Sequence, residues 1–125
     1  MLLSTQTEVA AARFGHETAV KMICDAGFEA IDLSLFDMLH DGSYFSGDDY
    51  LIKAEKLNKL ANSLGRKFNQ AHAPFPSYRV NDDEYNEKIA PALIKAIEIA
   101  GVIEADQIIV HPVYVENNKK QFNMD

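Results

Sequence analysis

Phe68-Asn69-Gln70-Ala71-His72-Ala73-Pro74-Phe75-Pro76 is a short, mostly apolar run that stops on a histidine and meets a proline within two residues. Gln107-Ile108-Ile109-Val110-His111-Pro112-Val113 repeats the arrangement farther along the chain. Proline cannot donate to a strand ladder, and it pushes the residue before it into extended geometry. Each run therefore reads as a strand that ends there, with an imidazole near its carboxyl end. In parallel α/β proteins that end of the sheet is where ligands bind. Two such histidines, each after a helix-length segment, make a pattern.

Working outward, residues 2–7 read as a first strand, apolar at the start and polar at the end. A second strand lies near 29–34, with Ile31 and Leu33 on one face and Asp32 and Ser34 on the other. The third and fourth strands lie near 67–72 and 107–111. Helices are expected near 16–26, 49–64 and 83–103. Their apolar stripes are Val20, Ile23 and Cys24; Ala54, Leu57, Leu60, Ala61 and Leu64; and Ile89, Leu93, Ile97 and Ala100. Gly27 and Gly65 are natural helix stops. Asp48 or Asp49, and then Asn81, Asp82 or Asp83, supply N-caps. Pro91 must either kink the last helix or open its main segment. Residues 8–15 read as a loop carrying Arg13 and Phe14, residues 37–49 as a loop carrying His40, Tyr44 and Phe45, and the chain after Pro112 as a polar tail. Phe14, Tyr44 and Phe45 either wall a pocket or anchor these loops. The order βαβαβαβ implies one α/β domain over residues 1–125, with a parallel sheet in strand order 1-2-3-4, right-handed crossovers and helices on the outer face.

Composition narrows the function. With 47% apolar and 25% charged residues the chain is of globular type. Its formal charge of −7 argues against a nucleic-acid partner and against an anionic membrane surface, both of which call for clustered Lys and Arg. No window reaches the roughly 18 apolar residues of a membrane span. Cys24 is alone, which fits a reducing compartment, and with no basic signal segment at the start the cytoplasm is the expected location.

The last inward residue of each strand is Gln6, Asp32, His72 or His111. With period-two alternation Phe68, Gln70 and His72 share a face, as do Gln107, Ile109 and His111. Adjacent strands lie about 4.8 Å apart, so His72 and His111 can reach one small ligand or one metal ion. Asp32 either joins them or caps the turn that follows. His16, in the first turn of a helix, His40, in a loop, and Cys24, on a core stripe, read as structural.

Gly27-Phe28-Glu29-Ala30-Ile31-Asp32-Leu33 resembles the second-strand signature of the xylose isomerase-like TIM barrels, the sugar phosphate isomerase/epimerase group. Ala71-His72-Ala73-Pro74-Phe75 resembles that group's third-strand end, and residues 91–100 leading into Ile109-Val110-His111-Pro112 resemble its third helix and fourth strand. Two departures stand out: Asp32 where the family commonly has Glu, and Val102-Ile103-Glu104-Ala105 where it usually has a Leu-Gly-Ala turn. The resemblance implies an eight-stranded (β/α) barrel of which this chain supplies the N-terminal half. It implies metal-assisted proton transfer between adjacent carbons of a sugar or sugar phosphate, with Gln6, Asp32, His72 and His111 facing substrate. It further implies a divalent metal ion in the complete barrel, which His72 and His111 would help to hold. The metal carboxylates and the acid/base pair come from later strands in that family, so the full catalytic set is not expected here.

A half-barrel leaves its first and fourth strands as open edges and exposes Leu3, Phe68 and Ile109 on the inner face, so a homo-oligomer is expected. One geometry is a two-fold dimer in which each fourth strand pairs with the partner's first. Two other functions compete: an abasic-site endonuclease-like barrel, disfavoured by the negative charge, and a non-catalytic half-barrel that binds or assembles.

Overall fold

Four short strands and four helices alternate along residues 2–112, the part of the chain that the computed structural model describes. They are β1 (Ser4–Gln6), α1 (Glu8–Phe14), α2 (His16–Asp25), β2 (Ala30–Ser34), α3 (Tyr50–Ser63), β3 (Lys67–His72), α4 (Asp83–Val102) and β4 (Gln107–Ile109). All strand pairs are parallel and the sheet order is β1-β2-β3-β4. The polar tail expected after Pro112 falls outside the described residues. Among those residues no helix is long and apolar enough to cross a membrane.

Residues 8–15 are not the expected loop: seven of them form α1. Ala10-Ala11-Ala12 are the best helix formers, and Glu8 in the first turn and Arg13 in the last complement the helix dipole. The helix buries no residue completely, so it carries no apolar stripe that a sequence pattern could reveal.

One face of the sheet carries Ile31, Leu33, Phe68 and Ala71, which join Val20 of α2, Leu57 and Ala61 of α3, and Ala96 and Ile99 of α4 in a single core. Phe68 is thus on the helix side, contrary to strict alternation with Gln70 and His72. A bulge is the cause. Ile31 pairs with Phe68 while Asp32 pairs with Gln70, so Asn69 is an extra residue opposite the Ile31–Asp32 step. The bulge resets the phase of β3. Phe68 enters the core, Asn69 reaches Ser4 Oγ at 3.3 Å, and Gln70 and His72 line up beside Asp32 and Ser34. The inner face therefore lacks the Phe68 expected there.

On α4 the buried residues are Ile89, Ala92, Ala96, Ile99 and Ala100, whereas Ile97 is 55% exposed. Steps of four residues overshoot a helical turn by about 40°, so two such steps carry Ile97 well away from Ile89. Leu64 is likewise exposed, being the C-cap of α3 rather than part of its stripe. The helix continues through Pro91 on its exposed side, and Asp82 caps it by accepting the Tyr85 N–H at 3.1 Å.

Three helices end on the same pair of hydrogen bonds. In α2 these are Phe28 N–H to Ile23 O and Gly27 N–H to Cys24 O; in α3, Arg66 to Ala61 and Gly65 to Asn62; in α4, Ala105 to Ala100 and Glu104 to Gly101. This closure needs a left-handed residue at its centre. Gly27 (φ 93°) and Gly65 (φ 72°) supply it freely, whereas Glu104 sits at φ 59° with a side chain that disfavours it. Glu104→Gly is accordingly expected to stabilise the fold by about 0.5–1 kcal/mol, read as a higher urea midpoint. A lower midpoint would show that the Glu104 side chain contributes more than the backbone loses.

Candidate functional site

The carboxyl ends of β1, β2 and β3, with the segment after β4, bring Gln6, Asp32, His72 and His111 together. Parallel register sets Gln6 beside Asp32 and Ser34 beside His72, and places Ile109 next to His72 with His111 two residues on. Asp32 and His72 are 6% and 7% exposed. His72 Nδ1 lies 2.9 Å from Asp32 Oδ1, and Gln70 Nε2–H donates to Asp32 Oδ2 at 2.7 Å. Both carboxylate oxygens are therefore engaged within the protein. Asp32 orients the imidazole rather than reaching outward. An ionised carboxylate only accepts, so Nδ1 carries the ring hydrogen and Nε2 is the acceptor left for chemistry.

Gln70 is held in turn by Gln107, whose side-chain N–H donates to Gln70 Oε1. Gln6 Nε2 lies 3.4 Å from both ring nitrogens of His72. A donor equidistant from the two nitrogens lies off the lone-pair direction of either, so Gln6 restrains the ring without occupying Nε2 head-on. Thr7 ties β1 to β2 at this rim: its Oγ1 accepts the Ser34 N–H at 2.9 Å.

The His111 and His72 rings stack at 5.6 Å between centroids and 27° between planes. Phe75 flanks His111 at 5.0 Å and packs on Phe36 at 4.8 Å, and Phe36 meets His72 edge-on at 5.9 Å. His111 Nε2 is buried with no hydrogen-bond partner. Stacked rings direct their lone pairs sideways, out of the space between them. An ion about 2.1 Å from a nitrogen of each requires one ring to turn. Among the described residues no three His, Cys, Asp or Glu side chains converge on a metal position. The donors as placed do not by themselves make an ion site.

A second imidazole–carboxylate pair lies beside the first. His16 is 3% exposed, wedged against Tyr44 and Phe45 at 5.2 Å each, with Nε2 at 3.4 Å from Asp37 Oδ2. That is ion-pair range, but its direction is poor for a hydrogen bond, and neither ring nitrogen has a partner by that criterion. Of the loop aromatics, Phe45 is a fully buried anchor and Phe14 is exposed. The sequence reading passed over His16 because a histidine in a helix's first turn carries no pattern of its own. The available signal was that Asp37 follows β2 by three residues at the ligand end.

The His16 imidazole is the main reason the Asp37 carboxyl sits below its ordinary range, with burial working against it. A lowered carboxylate pKa adds stability that is full above the unfolded value, near 3.9, and is lost as pH falls through the folded one. The stability gap between wild type and Asp37→Asn should therefore shrink as pH drops below about 4. Asp37 is 40% exposed, so solvent screening keeps the effect under about 1 kcal/mol. Urea unfolding of both proteins from pH 6 to pH 3 reads it; a gap that widens toward acid would reverse the sign of the pairing.

No protein-family model, no curated protein and no solved structure matches this chain.

Proposed function

We propose that the chain is the N-terminal half of a (β/α) barrel of the sugar isomerase/epimerase kind, and that its part is to hold an aldose or ketose, free or phosphorylated, over His72. The observation that carries this reading is the buried Asp32–His72 pair at the carboxyl end of a parallel sheet, braced by Gln70 and Gln6 and bordered by Phe36, Phe75 and His111. A nitrogen fixed as an acceptor suits a sugar hydroxyl, and the aromatic edges suit the C–H face of the ring. Asp32 steadies the imidazole in the tautomer that accepts, as a carboxylate behind a histidine does in general-base sites. Moving a proton between adjacent carbons also needs a carboxylate to take it and an ion or donor for the enediolate oxygen. In this reading those groups, with the divalent ion, belong to strands beyond β4. The role of His72 and His111 is confined to the substrate. The substrate is a free small molecule of the cytoplasm; a net charge of −7 disfavours nucleic acid.

Saturation-transfer NMR with aldose–ketose pairs, run in D2O, tests the proposal. Sugar should bind without exchange of its C1 or C2 hydrogens. No binding by any pair would remove the reading, and turnover by this chain alone would show that the catalytic set is complete.

Self-association belongs to the same proposal. Among the described residues the outer edges of β1 and β4 have no neighbour in the four-stranded sheet, and Leu2, Leu3, Val9 and Phe14 lie exposed along the β1 side. With Phe68 in the core, edge pairing rather than an apolar inner face is the driver. Light scattering should give the mass of a dimer, each β4 pairing with the partner's β1; a stable monomer at micromolar concentration would contradict it.

A further inference from the structure

Between α1 and the segment after β2 lies a cavity of about 170 Å³, lined by Glu8, Ala11, Ala12, His16, Ser34, Phe36, Asp37 and His40. It shares Ser34 and Phe36 with the His72 rim: Ser34 pairs with His72 in the sheet, and Phe36 meets the His72 ring edge-on. The two spaces are therefore adjacent compartments at one end of the sheet.

The lining carries two carboxylates, Glu8 and Asp37, and two imidazoles, His16 and His40. The carboxylates face it from different elements, and no lysine or arginine lines it. His16 is 3% exposed, and its two ring nitrogens, like Asp37 Oδ1, have no hydrogen-bond partner. Buried polar groups left unpaired are costly, so a ligand that reaches them gains more than it would from solvated ones. Carboxylates accept and cannot donate. The imidazole needs a donor or an acceptor according to tautomer. A hydroxyl group serves every one of these partners, because it both donates and accepts. A phosphate dianion has no hydrogen to offer, and it would meet two like charges, Glu8 and Asp37. Ala11, Ala12 and the Phe36 ring supply the apolar remainder that carbon-bound hydrogens can cover.

We infer that this cavity receives the far, hydroxyl-bearing end of the sugar held at His72, and that it selects unphosphorylated sugars over their terminal phosphate esters. The inference rests on the sugar reading of the His72 rim and adds a specificity determinant to it, carried by Glu8, Asp37 and His16.

The test titrates the 125-residue chain with a panel of hexoses and pentoses, each alongside its terminal phosphate. It follows the imidazole signals of His72 and the methyl signals of Ala11 and Ala12. A free sugar should move both sets and bind at least ~5-fold more tightly than its ester, since both carboxylates are partly solvated and screening limits each to a few-fold effect. Glu8→Gln should reduce that preference to about 2-fold or less, and Asp37→Asn should do the same. Glu8 is exposed, so its variant decides the matter even if Asp37→Asn folds poorly. An ester that binds as tightly as its sugar would overturn the inference and leave the sugar reading intact. So would a sugar that moves His72 but not Ala11 and Ala12. If no member of the panel moves His72, the sugar reading falls and the inference with it.

Discussion

Asp32→Ala is expected to destabilise the fold by about 2–4 kcal/mol, the largest effect of any substitution at the rim. Asp32 is 6% exposed and pairs with His72 through one oxygen and Gln70 through the other. Removing it strands the buried His72 donor and the half-buried Gln70 donor at once. Asp32→Asn separates packing from chemistry. It keeps the volume but offers only one acceptor, so either His72 or Gln70 loses its partner. If the amide nitrogen turns toward His72, the ring must move its hydrogen to Nε2 to accept there. The loss should be nearer ~1 kcal/mol, with the ring tautomer reversed in that orientation and kept in the other. Urea unfolding measures the first effect and imidazole nitrogen shifts the second. An alanine variant as stable as wild type would mean that the pair is open to solvent and not the brace of the site.

Phe68→Ala carries a comparable or larger penalty, about 3–5 kcal/mol, because a fully buried ring on the helix side leaves a cavity in the core that also holds Leu33, Leu57 and Ile99. That is a large share of the stability of a domain this size. The prediction distinguishes two placements of one residue. On the inner face, beside Gln70 and His72, Phe68 would be half-solvated and its loss cheap. The comparison is Ile109→Ala, on the inner face next to His72 and only partly buried, which should cost about 1–2 kcal/mol. Equal costs at the two positions would argue against the bulge at Asn69. A change in the urea m-value would indicate instead that the unfolded state had been altered.

That bulge marks where sequence reading stops. Alternation along Lys67–His72 is a period-two rule, and an inserted residue changes its phase without any local signal that the composition of Phe68-Asn69-Gln70 could carry. The strand itself, its end at His72 and its parallel neighbours were legible, because Pro74 and Pro112 stop the runs and helix-length segments separate them. So was the meeting of Gln6, Asp32, His72 and His111 at one edge, although Ser34 rather than Asp32 is the last residue of β2 on that face and His111 lies two residues beyond β4 instead of within it. The bracing amides were not. Gln70 and Gln107 act through partners that the register supplies, and their long side chains would suit a solvated face equally well. Helix α1 escaped for the opposite reason: its propensity is high but it hides no stripe. Glu104 was visible as an oddity at a helix exit, and its left-handed backbone keeps the closure that Gly27 and Gly65 make elsewhere.

The central claim is that Asp32 fixes His72 with its hydrogen on Nδ1, which leaves Nε2, 3.4 Å from the Gln6 amide, as the acceptor for a ligand. Long-range proton–nitrogen spectra of the imidazoles at neutral pH measure that directly. The expected pattern is a protonated Nδ1 and an acceptor-type Nε2 for His72 in wild type, lost in Asp32→Asn where the amide nitrogen turns toward His72, with the Nε2 signal moving when sugar is added. A His72 that carries its hydrogen on Nε2, or that averages freely between tautomers, would contradict the account.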